Sequence, residues 1–184
     1  MAFRRIKKKL LRRVDLDVRQ CVRKGTHRPT VGVVLEHAET GRILIVNGKN
    51  SSVDGSSNPG IIKGGVQKRE RVLVAAAREI FEELGISKVV FKRYCGSYSV
   101  TSLKQKDGFL KKRYFVFHAV YTGPADIACN LEELSGYSWV EFDDVVATLE
   151  VLRETRFEKY EVLISIFAAF RSKKRLSNAT APSA

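Results

Sequence analysis

The chain has 184 residues, of which 44% are hydrophobic and 29% are charged, a balance typical of a folded globular domain. Its three cysteines show no C-x-x-C spacing, which argues against a disulfide framework or zinc cluster and favours a reducing compartment. No apolar run approaches the roughly 18 residues that a membrane span requires. Composition therefore excludes the disulfide-stapled, disordered and helical membrane classes.

The net charge of +13 is concentrated at the two ends of the chain. Residues 1–28 and 171–175 carry the whole excess, and residues 29–170 sum to zero. Basic ends attract polyanions by counterion release, so the start of the chain reads as a nucleic-acid arm, a surface helix, an organelle presequence or a solvated tail. It lacks the apolar core of a secretory signal, so we expect a cytoplasmic location, with the organelle presequence as the alternative.

The predicted elements begin at Arg28, after a basic N-terminal extension over residues 1–27. Their order of strands, helix, strands and helices predicts an α/β fold with a mixed sheet between helices. The domain is predicted to cover residues 28–176, and residues 177–184 are predicted to be a disordered tail. In chain order we predict strands at 30–36 and 42–46, a loop at 47–60, a helix at 69–84, strands at 89–94, 96–100, 113–122 and 137–142, a hairpin tip at 104–112, and helices at 143–149 and 154–170.

Three carboxylates share one face of the helix predicted at 69–84. Glu79, Glu82 and Glu83 fall within an arc of about 100° at helical spacing. Like charges at this spacing repel one another, and a bound cation would turn the repulsion into attraction. Oxygen ligands select hard ions such as Mg²⁺ or Mn²⁺, and such ions suit phosphate chemistry. This helix therefore predicts a divalent-metal site for a phosphate-containing substrate.

Two neighbours of the carboxylates strengthen that prediction. Arg78 is placed to orient a carboxylate or to bind phosphate, and the pair Gly64-Gly65 lets the backbone approach a ligand closely. The full spacing from Gly64 to Ile86, G-x5-E-x7-R-E-(apolar)-x-E-E-x-G-(apolar), matches the Nudix box at every defined position. The chain therefore resembles the Nudix hydrolase family, over about residues 28–170.

This resemblance implies the family's α/β/α sandwich and its reaction, the attack of a metal-activated water on a diphosphate linkage. It implies that Arg78 orients a box glutamate and that Glu70 supports the junction of loop and helix. The general base is Glu79 or a glutamate outside the box. The metal ligands that it implies are Glu79, Glu82, Glu83, Glu133 and a carbonyl of Gly64 or Gly65.

The flanking segments narrow the substrate. Residues 27–34 and 133–140 resemble stretches of RNA 5′-pyrophosphohydrolases and of the related diadenosine tetraphosphate hydrolases, in which a glutamate matching Glu133 reaches a catalytic metal. The chain lacks the prolines typical of the ADP-ribose and NADH types. Lys63, which precedes Gly-Gly, instead resembles the diphosphoinositol polyphosphate hydrolases. Four basic residues are predicted to bind substrate: Arg28, Lys63, Lys111 and Lys112.

The sequence thus predicts a Mg²⁺- or Mn²⁺-dependent Nudix pyrophosphohydrolase that cleaves nucleoside polyphosphates, either RNA 5′ ends or dinucleoside polyphosphates. Within the enzyme class, the alternatives are the hydrolysis of diphosphoinositol polyphosphates or of damaged nucleoside triphosphates. In another class, the alternative is a catalytically weak module that binds nucleic acid. RNA is the predicted macromolecular partner, bound through the basic termini.

Overall fold

The computed structural model describes residues 6–25, 27–49, 58–104, 108–153, 160–161, 163–168 and 170. The chain forms two compact units, residues 1–142 and 143–184. The first unit holds the sheet and two helices, α1 (Lys8–Lys24) and α2 (Val72–Leu84). Its strands are β1 (Arg28–His37), β2 (Ile43–Gly48), β3 (Asn58–Gly60), β4 (Ile62–Gly65), β5 (Val90–Lys104), β6 (Gly108–Tyr121) and β7 (Leu134–Val140).

These strands form one seven-stranded mixed sheet with β1 at its centre. β1 pairs in parallel with β6 over its whole length and antiparallel with both β2 and β4. β7 pairs with β2, and β5 pairs with β6 in a long hairpin. The two strands predicted at 89–94 and 96–100 are one strand, β5, whose register shifts at two irregular positions. Gly96 lies at one of them with a φ of 133°, a conformation that favours glycine.

The segment before Arg28 holds a helix, so the predicted start of folded structure at Arg28 is too late. In α1 the residues Val14, Val18 and Cys21 recur at helical spacing, and all three are buried in the same core cluster as β1 and α2. Basic side chains cover the other faces of this helix. The high charge made the segment resemble a solvated tail, although its narrow apolar stripe is enough to pack.

The helix α2 packs its apolar face on the sheet. Ala75, Ala76, Ile80 and Leu84 are fully or almost fully buried in the core cluster. The helix begins at Val72 rather than at residue 69, because the chain first makes a turn at residues 67–70. It ends as predicted at Gly85, whose φ of 68° places it in the left-handed region that closes helices.

The second unit contains α3 (Phe142–Arg153) and further helical residues between 160 and 170. Tyr160, Leu163, Phe167 and Phe170 are buried, and they recur at the three- and four-residue spacing of one helix face. The predicted start of that helix at residue 154 and the predicted tail at 177–184 lie outside the described residues. None of the described helices is long and apolar enough to span a membrane.

Candidate active site

The segment that joins β4 to α2 is held rigidly by the central strand of the sheet. In the antiparallel pairing of β1 and β4, Gly64 lies opposite Val31 and Gly65 lies opposite Thr30. The following turn is closed by a hydrogen bond of 2.8 Å from the Gln67 N–H to Glu70 Oε2. The sheet therefore sets the position of the glycine backbone relative to the helix that follows it.

Arg78 is the centre of a dense hydrogen-bond network. It donates from Nε and Nη2 to the carboxylate of Glu70 at 2.9 and 3.1 Å, and from Nη2 to the Gly65 carbonyl oxygen at 2.8 Å. Its Nη1 donates to Glu79 Oε1 and to Glu82 Oε2, both at 2.7 Å. These contacts engage all five N–H donors of the guanidinium. Arg78 thus ties the turn, the glycine backbone and two of the three helix carboxylates together.

The hydrogen-bond network shifts the pKa values of Glu70 and Arg78 in opposite directions. The hydrogen bonds from Arg78 lower the pKa of Glu70, against the opposing effect of burial. The contact with Glu70, followed by those with Glu79 and Glu82, raises the pKa of Arg78. Glu70 and Arg78 therefore form an ion pair supported by two hydrogen bonds, and the orienting and supporting roles that the family resemblance implies for them stay predictions.

The carboxylate of Glu79 lies against the backbone of Gly64. A Cβ added to Gly64 would lie 1.8 to 2.0 Å from the carboxylate atoms of Glu79, so no other residue fits there without displacing that side chain. Glu79 is buried, and burial raises its pKa in spite of the contact with Arg78. The side chain packed closely against Gly64 is therefore a carboxylate of α2, and the predicted approach of the Gly64-Gly65 backbone to a ligand stays a prediction.

Glu83 is the most buried of the three helix carboxylates. Its Oε1 accepts the backbone N–H of Lys63 at 3.3 Å, whereas its Oε2 is buried with no hydrogen-bond partner among the described residues. Burial raises its pKa from 4.5 to about 7, and the negative charges of Glu79 and Glu133 add to the effect, while Lys63 opposes it. An unsatisfied buried carboxylate oxygen is costly unless a cation or donor completes it.

Glu133 acts on the same cluster from the turn before β7. Its negative charge contributes to the raised pKa of both Glu79 and Glu83. The turn is anchored to α2, because the Asn130 N–H donates to the Glu83 carbonyl oxygen at 2.8 Å. The structure thus brings the predicted fourth carboxylate into electrostatic range of the helix carboxylates.

The donor set fits a hard divalent cation. Within the part of the chain that the structure describes, no three acidic, His or Cys side chains form a ready-made metal cluster. Arg78 holds one oxygen of Glu79 and one of Glu82. All candidate ligands are oxygens, two of the carboxylates have raised pKa values, and Glu83 Oε2 is unsatisfied, which are the features that bound Mg²⁺ or Mn²⁺ would relieve.

Three of the four predicted substrate-binding cations lie on one face of the sheet. Arg28 of β1 lies opposite Lys112 of β6, and Lys63 of β4 lies opposite Gly32 of β1. Because Arg28 and Gly32 are four residues apart on one strand, they point to the same face, as do their partners. The pKa of Lys112 is lowered by burial and then by the charges of Arg28 and Lys63. Lys111 precedes Lys112 on a strand, so its side chain leaves the opposite face and does not join this cluster.

Two tyrosines extend the same face of the sheet. Tyr98 and Tyr114 are paired across β5 and β6, and their rings stack with centroids 4.9 Å apart and planes 13° from parallel. Burial raises the pKa of both hydroxyl groups, and the charge of Arg28 partly offsets this at Tyr114. The tyrosine pair therefore lies next to the cation cluster on the same face of the sheet.

Sequence reasoning missed one residue that supports the helix α2. Asp15 in α1 caps the start of α2 by accepting the Val72 N–H at 3.0 Å, because the N-cap residue Arg71 makes no side-chain capping bond. The available signal was an acidic residue on the apolar side of a basic helix. Its partner lies 57 residues away and was not foreseeable from local sequence.

A known domain family matches most of this chain. The sequence model of the NUDIX domain matches residues 26–163. No curated protein sequence matches the chain significantly.

Solved structures with this fold include an Ap4A hydrolase of C. elegans in a binary complex, with 19% identity, a TM-score of 0.58 and coverage of 80% of this chain and 98% of that one. A MutT protein of Methanosarcina mazei Go1 is 18% identical with a TM-score of 0.57, over 80% of this chain and 95% of that one. The E. coli dihydroneopterin triphosphate pyrophosphohydrolase is 17% identical with a TM-score of 0.52, over 66% of this chain and 87% of that one.

These likenesses confirm the predicted fold class, an α/β fold of the Nudix α/β/α sandwich type with a mixed sheet. The domain match covers three quarters of the chain and includes the whole glycine, arginine and glutamate constellation. The chain belongs to the NUDIX family.

Proposed function

We propose that this protein is a hydrolase that cleaves a diphosphate linkage in nucleoside polyphosphates. The observation that carries the proposal is the pairing of Glu79 with Gly64 beside the unsatisfied oxygen of Glu83. A binding module without catalysis has no need of several repelling, partly desolvated carboxylates, which cost stability when no cation is present. The intact cluster therefore favours the enzyme over the alternative of a catalytically weak nucleic-acid-binding module.

The groups that would hold Mg²⁺ or Mn²⁺ are the side chains of Glu79, Glu82, Glu83 and Glu133 together with a carbonyl of Gly64 or Gly65. When bound, the ion neutralises phosphate oxygens and lowers the pKa of a coordinated water. The general base is Glu79 or Glu133.

Arg78 is a positioning residue in this proposal. It fixes one oxygen of Glu79 and one of Glu82 and leaves the second oxygen of each carboxylate for other partners. Glu70 in turn fixes Arg78 through two hydrogen bonds. The carboxylates are thus oriented before a ligand arrives, so less ordering is required on binding.

The cation cluster of Arg28, Lys63 and Lys112 supports a substrate with several phosphates. Burial lowers the pKa of Lys112 most, and the charges of Arg28 and Lys63 add to the effect. A polyphosphate would relieve the repulsion among these three cations on adjacent strands. The stacked pair of Tyr98 and Tyr114 supplies an aromatic surface next to these cations. Together they favour RNA 5′ ends or dinucleoside polyphosphates as substrates.

One structural relative is named for a dinucleoside polyphosphate, as an Ap4A hydrolase, and another for a different triphosphate, as a dihydroneopterin triphosphate pyrophosphohydrolase. Diphosphoinositol polyphosphates and damaged nucleoside triphosphates are the alternative substrates. Diphosphoinositol polyphosphates have no nucleobase, so an experiment can separate them from the nucleotide substrates. We further propose that the Nudix domain spans residues 28–176 and that α1, within residues 1–27, is an addition to it. We also propose that the protein acts in the cytoplasm, which is a reducing compartment.

The experiment is a substrate panel assayed with Mg²⁺ and with Mn²⁺ for release of phosphate or pyrophosphate. It compares 5′-triphosphorylated RNA, a dinucleoside tetraphosphate, an oxidised nucleoside triphosphate and a diphosphoinositol polyphosphate. We expect turnover of the first two, and a loss of at least ~10²-fold in the variants Glu82→Gln and Glu83→Gln. Wild-type rates in both variants at saturating metal would contradict the assignment of the site.

A further inference from the structure

A groove of about 640 Å³ separates α1 from the first turn of α2. Its basic lining comes from both walls, with Lys8, Arg12 and Arg19 on α1 and Arg71 on the other side. All four side chains are exposed. The helix α1 precedes the residues that match the NUDIX domain, and the groove shares no residue with the carboxylate cluster or with the cation cluster on the sheet.

The charge of this groove is not balanced by the protein. None of its four cations forms an ion pair within the described ranges of the chain. One acidic residue, Asp15, also lines the groove, where it accepts the backbone N–H of Val72, so the lining has a formal excess of three positive charges. An excess of closely spaced cations binds a polyanion favourably, because the polyanion releases its condensed counterions.

The groove lining also includes apolar side chains, and none of the described lining residues is aromatic. Leu16 and Val74, one from each helix, are each 55% exposed. A nucleic-acid backbone offers phosphates at regular intervals with less polar ribose between them, which suits a lining of cations and apolar side chains. Because phosphates carry no sequence information, binding through these cations would not depend on base sequence.

We propose that this groove binds the phosphodiester backbone of RNA. The helix α2 connects the groove to the proposed catalytic site, since Val72 and Glu83 are about 16 Å apart along its axis. A bound strand would therefore be held within a few nucleotides of the carboxylates. That consequence rests on the proposed function, whereas RNA binding itself does not.

The test measures binding of a 20-nucleotide RNA labelled with fluorescein at its 3′ end, by fluorescence anisotropy in EDTA at several salt concentrations. The variant Lys8→Ala/Arg12→Ala removes two cations from the groove. The variant Lys9→Ala/Arg13→Ala removes the same two residue types from exposed positions about 100° round the same helix. The two variants have equal net charge, so any difference between them reports position on the helix.

We expect Lys8→Ala/Arg12→Ala to raise the Kd by about 10-fold or more and to reduce the salt slope by about two. Arg71→Ala, on the opposite wall, should reduce the slope by about one. Equal weakening by the two double variants would overturn the groove as the site and leave only general attraction to a basic helix. Circular dichroism confirms that each variant is folded.

A second arm tests the class of ligand. A poly-glutamate peptide that displaces RNA at matched charge concentration, and whose binding is lost in Lys8→Ala/Arg12→Ala, would assign the groove to an acidic protein segment instead. The outcome is also distinct from the fate of the proposed function. If the wild-type protein binds RNA but hydrolyses nothing in the substrate panel, the proposed activity is rejected and the groove is retained. If it hydrolyses a substrate but does not bind the labelled RNA, the groove is rejected and the activity is retained.

Discussion

The carboxylate of Asp15 accepts a hydrogen bond of 3.0 Å from the backbone N–H of Val72, the first residue of the helix α2. A helix start leaves N–H groups without intrahelical partners, and a capping side chain usually comes from the N-cap residue itself. Here the N-cap residue is Arg71, which makes no such bond, and the cap is supplied from α1. An element outside the NUDIX match thus completes the helix that carries the proposed metal ligands.

We expect Asp15→Ala to lower the free energy of unfolding by about 1 kcal/mol, the usual cost of losing a helix cap. Asp15→Asn should retain most of the stability, because an asparagine side chain also accepts this bond. Urea denaturation measures both variants. Asp17→Ala, two residues away and without a capping contact among the described residues, is the control, and an equal loss there would show that only the charge of α1 matters.

The contact between Gly64 and Glu79 predicts that Gly64→Ala inactivates the protein. The added methyl group would overlap the Glu79 carboxylate and force it out of its position. We expect a loss of at least ~10²-fold in kcat with Mg²⁺ and a loss of the rise in Tm that the metal produces. Gly48→Ala, where an added Cβ meets nothing within 4 Å, should behave as wild type. An active Gly64→Ala variant would contradict the geometry of the site.

The burial of Glu83 predicts that the metal-free protein loses stability as the pH rises. Its pKa is about 7 in the folded protein against an ordinary 4.5, so the folded state binds a proton more tightly than the unfolded state. The stability from this group is fully present below pH 4.5 and is lost as the pH rises through 7. Urea denaturation in EDTA between pH 5 and pH 8 measures it.

We expect Glu83→Gln to remove this part of the pH dependence, because the amide stays neutral throughout the range. Glu132→Gln, a substitution of an exposed glutamate, should keep the wild-type profile. If Glu83→Gln and wild type lose stability in parallel between pH 5 and pH 8, Glu83 is not the group responsible.

Glu133 and its neighbour Glu132 offer a matched pair for the proposed fourth carboxylate. Of these two residues, Glu133 and not Glu132 contributes to the raised pKa of Glu79 and of Glu83. We expect Glu133→Gln to reduce kcat by about 10-fold or more with a small change in KM, and Glu132→Gln to change neither appreciably. Steady-state kinetics on a dinucleoside tetraphosphate decides the matter, and equal small effects would return Glu133 to the role of a solvated surface acid.

Lys111 and Lys112 were expected to bind substrate together, and the structure separates them. Only Lys112 lies in the cluster with Arg28 and Lys63. We therefore expect Lys112→Ala to raise KM for every polyphosphate substrate several-fold, while Lys111→Ala, on the opposite face of β6, leaves KM near its wild-type value. A comparable rise in KM in both variants would show that the charge of the hairpin acts without regard to face.

The pattern of residues alone was sufficient to predict the helix α2, which carries the proposed metal ligands. Glu79, Glu82 and Glu83 share a face by helical periodicity, and the spacing back to Gly64 and Glu70 is a local property of the chain. The alternation of hydrophobic residues also indicated most strands and the mixed sheet. These features follow from short-range geometry, which sequence expresses directly.

The tertiary structure decided what depends on contacts between distant segments. Packing buried the second oxygen of Glu83 with no hydrogen-bond partner among the described residues, brought the charge of Glu133 to the helix, and placed Lys112 and Lys111 on opposite faces. It also showed that α1 is folded and that Asp15 caps α2, although charge made this segment resemble a tail. Burial and long-range hydrogen bonds depend on which surfaces meet in the folded chain, and no local pattern of residues records that.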